Sequence, residues 1–134
     1  MRKGFIPVDV HAAIEPIIAI ILIAAPWIFG FSDVHSATVI SIIVGAVMLL
    51  SGAMTQWRLA LVRVIPLRVH FMTDLVLGAL LIVVPFIFGF SSNGAATRFM
   101  IIVGALELAT ALSTRWEPVA DADSRRRPDL STAR

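Results

Sequence analysis

The chain has 134 residues, of which 58% are hydrophobic and 15% are charged, and its mean hydropathy is +0.91. This composition excludes an ordinary soluble domain and indicates an integral membrane protein, whose expected partner is the lipid bilayer. The absence of cysteine excludes disulfides and thiolate metal sites, and the formal charge of +2 comes from arginines that flank apolar segments, so no nucleic acid partner is expected.

Four apolar runs predict four membrane-spanning helices, at about 10–31, 37–56, 69–90 and 96–115. Each run approaches the roughly 20 residues that a helix needs to cross the hydrocarbon core of a bilayer. A cleaved signal peptide is the alternative for the first run, because Arg2 and Lys3 precede it. The matching run in the middle of the chain cannot be a signal peptide, which favours two permanent spans. After the fourth helix, residues 117–134 lose all apolar periodicity and are predicted to be a disordered tail.

Basic residues are concentrated on one side of the predicted bundle. Two precede the first helix, Arg58, Arg63 and Arg68 lie between the second and third helices, and most others follow the fourth helix. Only Arg98 falls in a connection on the opposite side. By the positive-inside rule, this distribution predicts that both termini, the tail and the middle loop are cytoplasmic, in a plasma (inner) membrane. The middle loop alternates arginine with apolar residues, which is typical of a segment at an anionic lipid surface.

The chain contains an internal duplication. A shift of 59 residues aligns it with itself without a gap, so that residues 6–57, called repeat 1, match residues 65–116, called repeat 2. Each repeat is predicted to be a helical hairpin. Because each repeat contains an even number of spans, both have the same orientation in the membrane. The aligned identities include the pairs Pro26/Pro85, Gly45/Gly104 and Trp57/Trp116.

The most similar stretches are PWIFGFS at 26–32 and PFIFGFS at 85–91. They are predicted to form the hairpin turns, with a proline near the helix end, a glycine in a left-handed cap and a serine that begins the turn. Their aromatic residues are predicted to form one aromatic belt at the membrane surface, and Trp57 and Trp116 the other. A ligand-contacting loop is the alternative interpretation. The motif residues are Pro26, Trp27, Gly30, Ser32, Pro85, Phe86, Gly89 and Ser91.

Two-helix units with this Pro-aromatic-Ile-Phe-Gly-Phe-Ser stretch, a glycine in the second helix and a closing tryptophan resemble the SPW-repeat family of small bacterial integral membrane proteins. The resemblance covers both repeats and not the tail. In place of the namesake Ser-Pro-Trp, the chain has Ala-Pro-Trp at 25–27 and Val-Pro-Phe at 84–86. The family implies a bacterial membrane and four helices, and it implies no activity.

Each repeat carries a His-x-x-x-acid pair near the start of its first helix, namely His11 with Glu15 and His70 with Asp74. A spacing of four residues places both side chains on one helix face. We expect this face to look into the bundle, because small residues continue it. One hypothesis is that two imidazoles and two carboxylates converge as a divalent metal site or a proton relay. The alternative is that each histidine only bonds its own acid or a neighbouring helix.

Glu107 interrupts the fourth apolar run, at a place where repeat 1 has Met48. Small residues seven apart on the second helix of each repeat predict a packing seam, and Glu107 should point along this seam toward protein. A carboxylate in this place should be neutral or paired, and it either ties helices together or handles protons or cations. The seam residues are Gly45, Gly52, Gly104 and Ala111.

The sequence therefore predicts an all-α integral membrane four-helix bundle built from two parallel-oriented helical hairpins. The expected function is non-enzymatic, structural or accessory, with packing into a homo-oligomer or a larger membrane complex, and neither a catalytic residue nor a cofactor is expected. The alternative function is proton or ion handling, or metal binding, at polar residues within the helices. A membrane enzyme that uses the same residues is the third interpretation. These candidate site residues are His11, Glu15, His70, Asp74 and Glu107.

Overall fold

The computed structural model of the protein describes residues 4–117 and forms an all-α four-helix bundle, which confirms the predicted fold class. All four helices are long and apolar enough to cross a membrane. The predicted tail 117–134 lies outside the described residues apart from Glu117. The elements in chain order are β1 (Ile6–Pro7), α1 (Val8–Ile28), α2 (His35–Met54), α3 (Leu67–Ile87), α4 (Gly94–Ser113) and β2 (Thr114–Arg115).

Proline sets where the first helix of each repeat begins. Pro7 and Pro66 stand immediately before α1 and α3 with a φ of −61°, an angle that the pyrrolidine ring imposes and that a helix also uses. The chain therefore enters the helix at the next residue. The two helices begin at Val8 and Leu67, two residues earlier than the hydropathy pattern predicts.

Glycine ends the same two helices. Gly30 and Gly89 have φ values of 70° and 72°, in the left-handed region that glycine adopts without strain. In repeat 1 the N–H of Phe31 donates to the carbonyl of Pro26 at 2.8 Å, and the equivalent bond in repeat 2 is 3.0 Å. This bond from the second residue after the cap is typical of a Schellman motif, and it directs the chain toward the second helix of the hairpin.

Within each hairpin the two helices pack closely at a glycine. A Cβ added to Gly45 on α2 would lie 2.7 Å from the carbonyl oxygen of Ala19 on α1. The repeat-related contact is equally tight, since a Cβ on Gly104 would lie 2.6 Å from the carbonyl oxygen of Gly78. Real Cβ atoms do not approach a backbone oxygen so closely, so the helix separation in both hairpins requires the absence of a side chain at these positions.

The two repeats exchange their chain ends, in the sense that the start of each repeat pairs with the end of the other. β1, at the start of repeat 1, pairs in parallel with β2, at the end of repeat 2, through Ile6 and Thr114. The repeat-related bridge joins Thr55, near the end of repeat 1, to Ile65, at the start of repeat 2. Each repeat is thus closed by the other. We call this end of the bundle the terminal end, and the end with the turns at 29–34 and 88–93 the hairpin end.

The aromatic residues of the hairpin turns divide into two groups. Trp27 and Phe86 are exposed on the outside of the bundle, as expected for an aromatic belt. Phe31 and Phe90 are buried, so the belt prediction is wrong for these two. They follow the left-handed glycine, which reverses the chain and directs their rings into the core.

Candidate functional site

Four ionisable side chains from two helices meet in the core near the terminal end. α1 supplies His11 and Glu15, and α3 supplies the repeat-related His70 and Asp74. Each pair is separated by four residues, so both of its members lie on one helix face. None of the four is more than 4% exposed. The structure therefore brings the two His-x-x-x-acid pairs together between the repeats.

The four groups alternate around a closed ring. Nε2 of His11 lies 3.6 Å from Oε2 of Glu15 and 3.4 Å from Oδ2 of Asp74. Nε2 of His70 lies 3.0 Å from Oε2 of Glu15 and 3.3 Å from Oδ1 of Asp74. Each histidine thus faces the acid of its own repeat and the acid of the other repeat. We call these four side chains the His-acid ring.

Hydroxyl groups form hydrogen bonds with Nδ1, the other nitrogen of each imidazole. Nδ1 of His11 lies 3.0 Å from Oγ1 of Thr114. Nδ1 of His70 lies 2.8 Å from Oγ1 of Thr55 and 2.9 Å from Oγ of Ser51. Each histidine is therefore bonded to the threonine near the end of the other repeat.

The threonines determine which imidazole nitrogen carries a proton. Thr55 donates its hydroxyl proton to the carbonyl of Ser51, and Thr114 donates to the carbonyl of Thr110, both at 2.7 Å. Since a hydroxyl has a single proton, each of these oxygens accepts from its histidine. Nδ1 is then the N–H of both imidazoles. In the neutral form of each imidazole, Nε2 presents its lone pair to the carboxylates of the His-acid ring.

Trp57 and Trp116 pack against the two imidazoles. The ring centroid of Trp57 lies 4.5 Å from that of His70, and that of Trp116 lies 4.9 Å from that of His11. At 3% and 6% exposure, these tryptophans do not form an aromatic belt, and that prediction is wrong. The reason is the exchange of chain ends, which turns the residues after α2 and α4 inward. The indoles cover the His-acid ring, and each N–H donates to a carbonyl of the preceding helix.

Three hydroxyl residues of the site, Ser51, Thr55 and Thr114, were not predicted from the sequence. A signal was present, because the 59-residue shift places Thr55 on Thr114, and each stands two residues before a repeated tryptophan. Hydroxyl residues at the end of an apolar run are also expected as turn or cap residues. The match between the two repeats, and not the residue type, could therefore have identified these threonines as site residues.

The donor atoms of the His-acid ring suit one metal ion. Among the described residues, His11, His70 and Asp74 have ligand atoms that all lie within 4.8 Å of one another, and Oε2 of Glu15 lies 3.0 Å from Nε2 of His70. Both Nε2 atoms and both oxygens of Glu15 are buried and have no hydrogen-bond partner in the part of the chain that the structure describes. Three of the four N···O separations are 3.0–3.4 Å, within the roughly 3.0–3.4 Å between neighbouring ligands of an ion with bonds of about 2.1 Å, and the fourth is 3.6 Å.

Glu107 lies beside the His-acid ring. Its side chain is buried, and it lines a pocket of about 150 Å³ together with His11 and Glu15. Of the predicted seam residues, Gly52 also approaches the ring, since a Cβ there would lie 3.2 Å from Oε1 of Glu15. The carbonyl of Ala111 accepts the indole N–H of a ring-covering tryptophan. The predicted hairpin-turn residues lie at the opposite end of the bundle.

One protein family covers most of both repeats and the whole His-acid ring. The SPW repeat domain matches residues 9–114 of the chain. The chain belongs to the SPW repeat family. This confirms the family expected from the hairpin stretches, and with the four apolar helices it supports a multi-pass membrane protein. No curated protein and no solved structure matches the chain. Membership of the SPW repeat family specifies no reaction.

Proposed function

We propose that this SPW repeat protein binds one divalent transition-metal ion inside the membrane, at the His-acid ring between its two repeats. The proposed role is binding rather than catalysis. Because each repeat supplies one imidazole and one carboxylate, a bound ion would also fasten the two hairpins together. The structural role expected from the sequence and the ion-binding alternative then belong to the same site.

The observation that carries the proposal is the common direction of the two imidazoles. With each Nδ1 held as a donor by a threonine, both Nε2 atoms face the same two carboxylates. Histidines that bind metals usually donate their second N–H to an oxygen in this way, which fixes the ring for the ion. In a hydrogen-bonded ion pair the N···O distances would be about 2.7–2.9 Å, whereas three of the four here are 3.3–3.6 Å.

Charge balance also supports a divalent ion. Glu15 and Asp74 bring two negative charges into a buried site, and neutral imidazoles do not compensate them. Unpaired buried charge is strongly unfavourable, and within a membrane it is rare. One divalent cation would make the His-acid ring neutral. The competing arrangement is a metal-free ring with two imidazolium ions, which has the same net charge and joins the repeats by ion pairs alone.

The ligand set favours particular ions. Two imidazoles and two carboxylates, without a thiolate, suit zinc, manganese or ferrous iron. Calcium and magnesium prefer oxygen ligands, so the imidazoles disfavour both. The Irving–Williams order then predicts tighter binding of Zn²⁺ than of Fe²⁺, and of Fe²⁺ than of Mn²⁺.

The proposed setting is the plasma (inner) membrane of a bacterium, with both termini and the middle loop in the cytoplasm. The positions of the arginines support this orientation, since Arg58, Arg63 and Arg68 lie at the terminal end and Arg98 lies near the hairpin end. The His-acid ring is then on the cytoplasmic side of the bilayer. Large apolar side chains exposed along all four helices suit contact with lipid, further copies of the chain or a larger membrane complex.

Elemental analysis tests the proposal. The protein is purified in detergent without chelator and without a polyhistidine tag, and its metal content is measured by mass spectrometry. We expect close to one transition-metal ion per chain in the unmodified protein and in His35→Ala, whose histidine is exposed at the start of α2. His70→Ala should contain little. Unmodified protein that stays metal-free after incubation with Zn²⁺, Fe²⁺ and Mn²⁺ would contradict the proposal and favour the ion-paired ring.

A further inference from the structure

Glu107 breaks the symmetry of the two repeats. The 59-residue shift places it on Met48, an apolar side chain that is 1% exposed. Glu107 is 6% exposed, and its Oε1 has no hydrogen-bond partner within residues 4–117. A buried carboxylate oxygen without a donor is costly. Helix packing alone does not require a carboxylate at this position, since methionine fills the equivalent place in repeat 1.

Glu107 shares a pocket of about 150 Å³ with the His-acid ring. The pocket lies between α1 and α4, and its apolar lining includes Ile14 and Leu106. These two residues are 42% and 54% exposed, so they form the lipid-facing side of the pocket, and Thr110 lies at its side toward the terminal end. Its polar lining consists of His11, Glu15, Glu107 and Thr110.

The histidine that lines this pocket is the less firmly held of the two. Among the residues that the structure describes, His11 has one hydroxyl at its Nδ1, that of Thr114. His70 has two, those of Ser51 and Thr55. A histidine with fewer hydrogen bonds at its Nδ1 reorients at a lower cost in free energy. The His-acid ring should therefore open more readily on the side that Glu107 faces.

We infer that Glu107 is the exchange carboxylate of the His-acid ring. A divalent ion enters and leaves between α1 and α4 at the terminal end, where Thr110 lies, and Glu107 holds it transiently on its way to and from His11 and Glu15. This inference rests on the proposed metal site. A negative charge in a pocket of low polarity raises the local concentration of cations and speeds their association. Met48 offers no such charge in repeat 1, so exchange takes place on one side of the bundle.

Stopped-flow kinetics with Co²⁺ test the inference on the full chain in detergent. Trp57 and Trp116 lie against the imidazoles and report the arrival of this open-shell ion by quenching of their fluorescence. Glu107→Met installs the residue that repeat 1 carries. We expect association and chelator-induced release both to slow about tenfold or more, with little change in Kd. Leu112→Met, on the exposed face of the same helix, is the control and should keep the rates of the unmodified protein.

Glu107→Gln decides the question if the methionine variant does not fold, because it keeps the size of the side chain and removes its charge. It should show the same slow exchange. Unchanged rates with Co²⁺ still bound at the ring would overturn the inference and leave the proposed metal site standing. A raised Kd with unchanged association would also overturn it, because Glu107 would then be a ligand of the bound ion. Failure of the unmodified protein to bind Co²⁺ would overturn the proposed function itself.

Discussion

His11 and Thr114 stand 103 positions apart in the chain, and a hydrogen bond of 3.0 Å joins Nδ1 of the first to Oγ1 of the second. This bond links the start of repeat 1 to the end of repeat 2. Its repeat-related counterpart links His70 to Thr55 at 2.8 Å. Each imidazole is thus oriented by the other repeat, and the geometry of the His-acid ring depends on how the two hairpins meet.

Replacing Thr114 by valine should weaken metal binding more than replacing Thr55 by valine. Valine keeps the shape of the side chain and removes the oxygen that accepts from Nδ1, and losing such a supporting bond lowers metal affinity about 10–100-fold. After the loss of Thr55, His70 retains Oγ of Ser51 at 2.9 Å. Isothermal titration with Zn²⁺ should therefore give a Kd that rises from the unmodified protein through Thr55→Val to Thr114→Val.

The double change Ser51→Ala with Thr55→Val is the matched control for this series. It removes both hydroxyls from His70, so its Kd should approach that of Thr114→Val. If all these variants bind Zn²⁺ as tightly as the unmodified protein, the hydroxyls do not orient the imidazoles.

Gly45→Ala and Gly104→Ala should each destabilise the bundle by about 1–3 kcal/mol, as overpacking of a well-packed contact does. The added Cβ would lie 2.7 Å and 2.6 Å from backbone oxygens that cannot move without separating the helices. Ala109→Leu adds more atoms on the exposed face of α4 and should melt near the unmodified protein. Thermal unfolding in detergent measures all three. Glycine variants that melt like this control would place both glycines outside the helix contacts.

Gly30→Ala and Gly89→Ala should cost about 1–2 kcal/mol each, for a different reason. A Cβ at either position would meet no atom of the described residues within 4 Å, so the cost comes from the left-handed backbone and not from a clash. Gly30→Asn should recover part of the loss, because asparagine tolerates this conformation better than alanine. The same melting experiment applies, and equal stability of the glycine, alanine and asparagine forms would argue against the left-handed cap.

Single cysteines test the proposed orientation, since the chain has no cysteine of its own. Asp33→Cys and Ser92→Cys lie in the turns of the hairpin end, and Leu61→Cys lies exposed in the middle loop. A membrane-impermeant maleimide should label the first two in intact cells and Leu61→Cys only after lysis. Labelling of Leu61→Cys alone in intact cells would reverse the orientation.

The sequence was sufficient for the four helices and for the two His-x-x-x-acid pairs, because hydropathy, duplication and a spacing of four residues are properties of one segment at a time. Hydropathy misses the helix starts by two residues, since it does not register that Pro7 and Pro66 already have helical φ values. The convergence of the two pairs was one of two alternatives, and the sequence did not decide whether His70 would contact Glu15. This contact joins different repeats, and only the docking of the hairpins fixes it.

The tryptophans show the same limit. Their residue type and their position at the ends of apolar runs predict that Trp57 and Trp116 lie at a membrane surface, where amphipathic rings are common. Their burial follows from the exchange of chain ends, in which β1 pairs with β2 and Thr55 bridges to Ile65. These are contacts between segments far apart in sequence, and no periodic pattern records them.

X-ray absorption at the metal edge tests the central claim most directly, because it counts the imidazoles bound to the ion. For the Zn²⁺-loaded protein we expect about four nitrogen and oxygen ligands near 2.0–2.1 Å. Multiple scattering should show two imidazoles in the unmodified protein and one in His70→Ala. A shell of oxygen ligands without imidazole scattering in the unmodified protein would contradict a metal site at the His-acid ring.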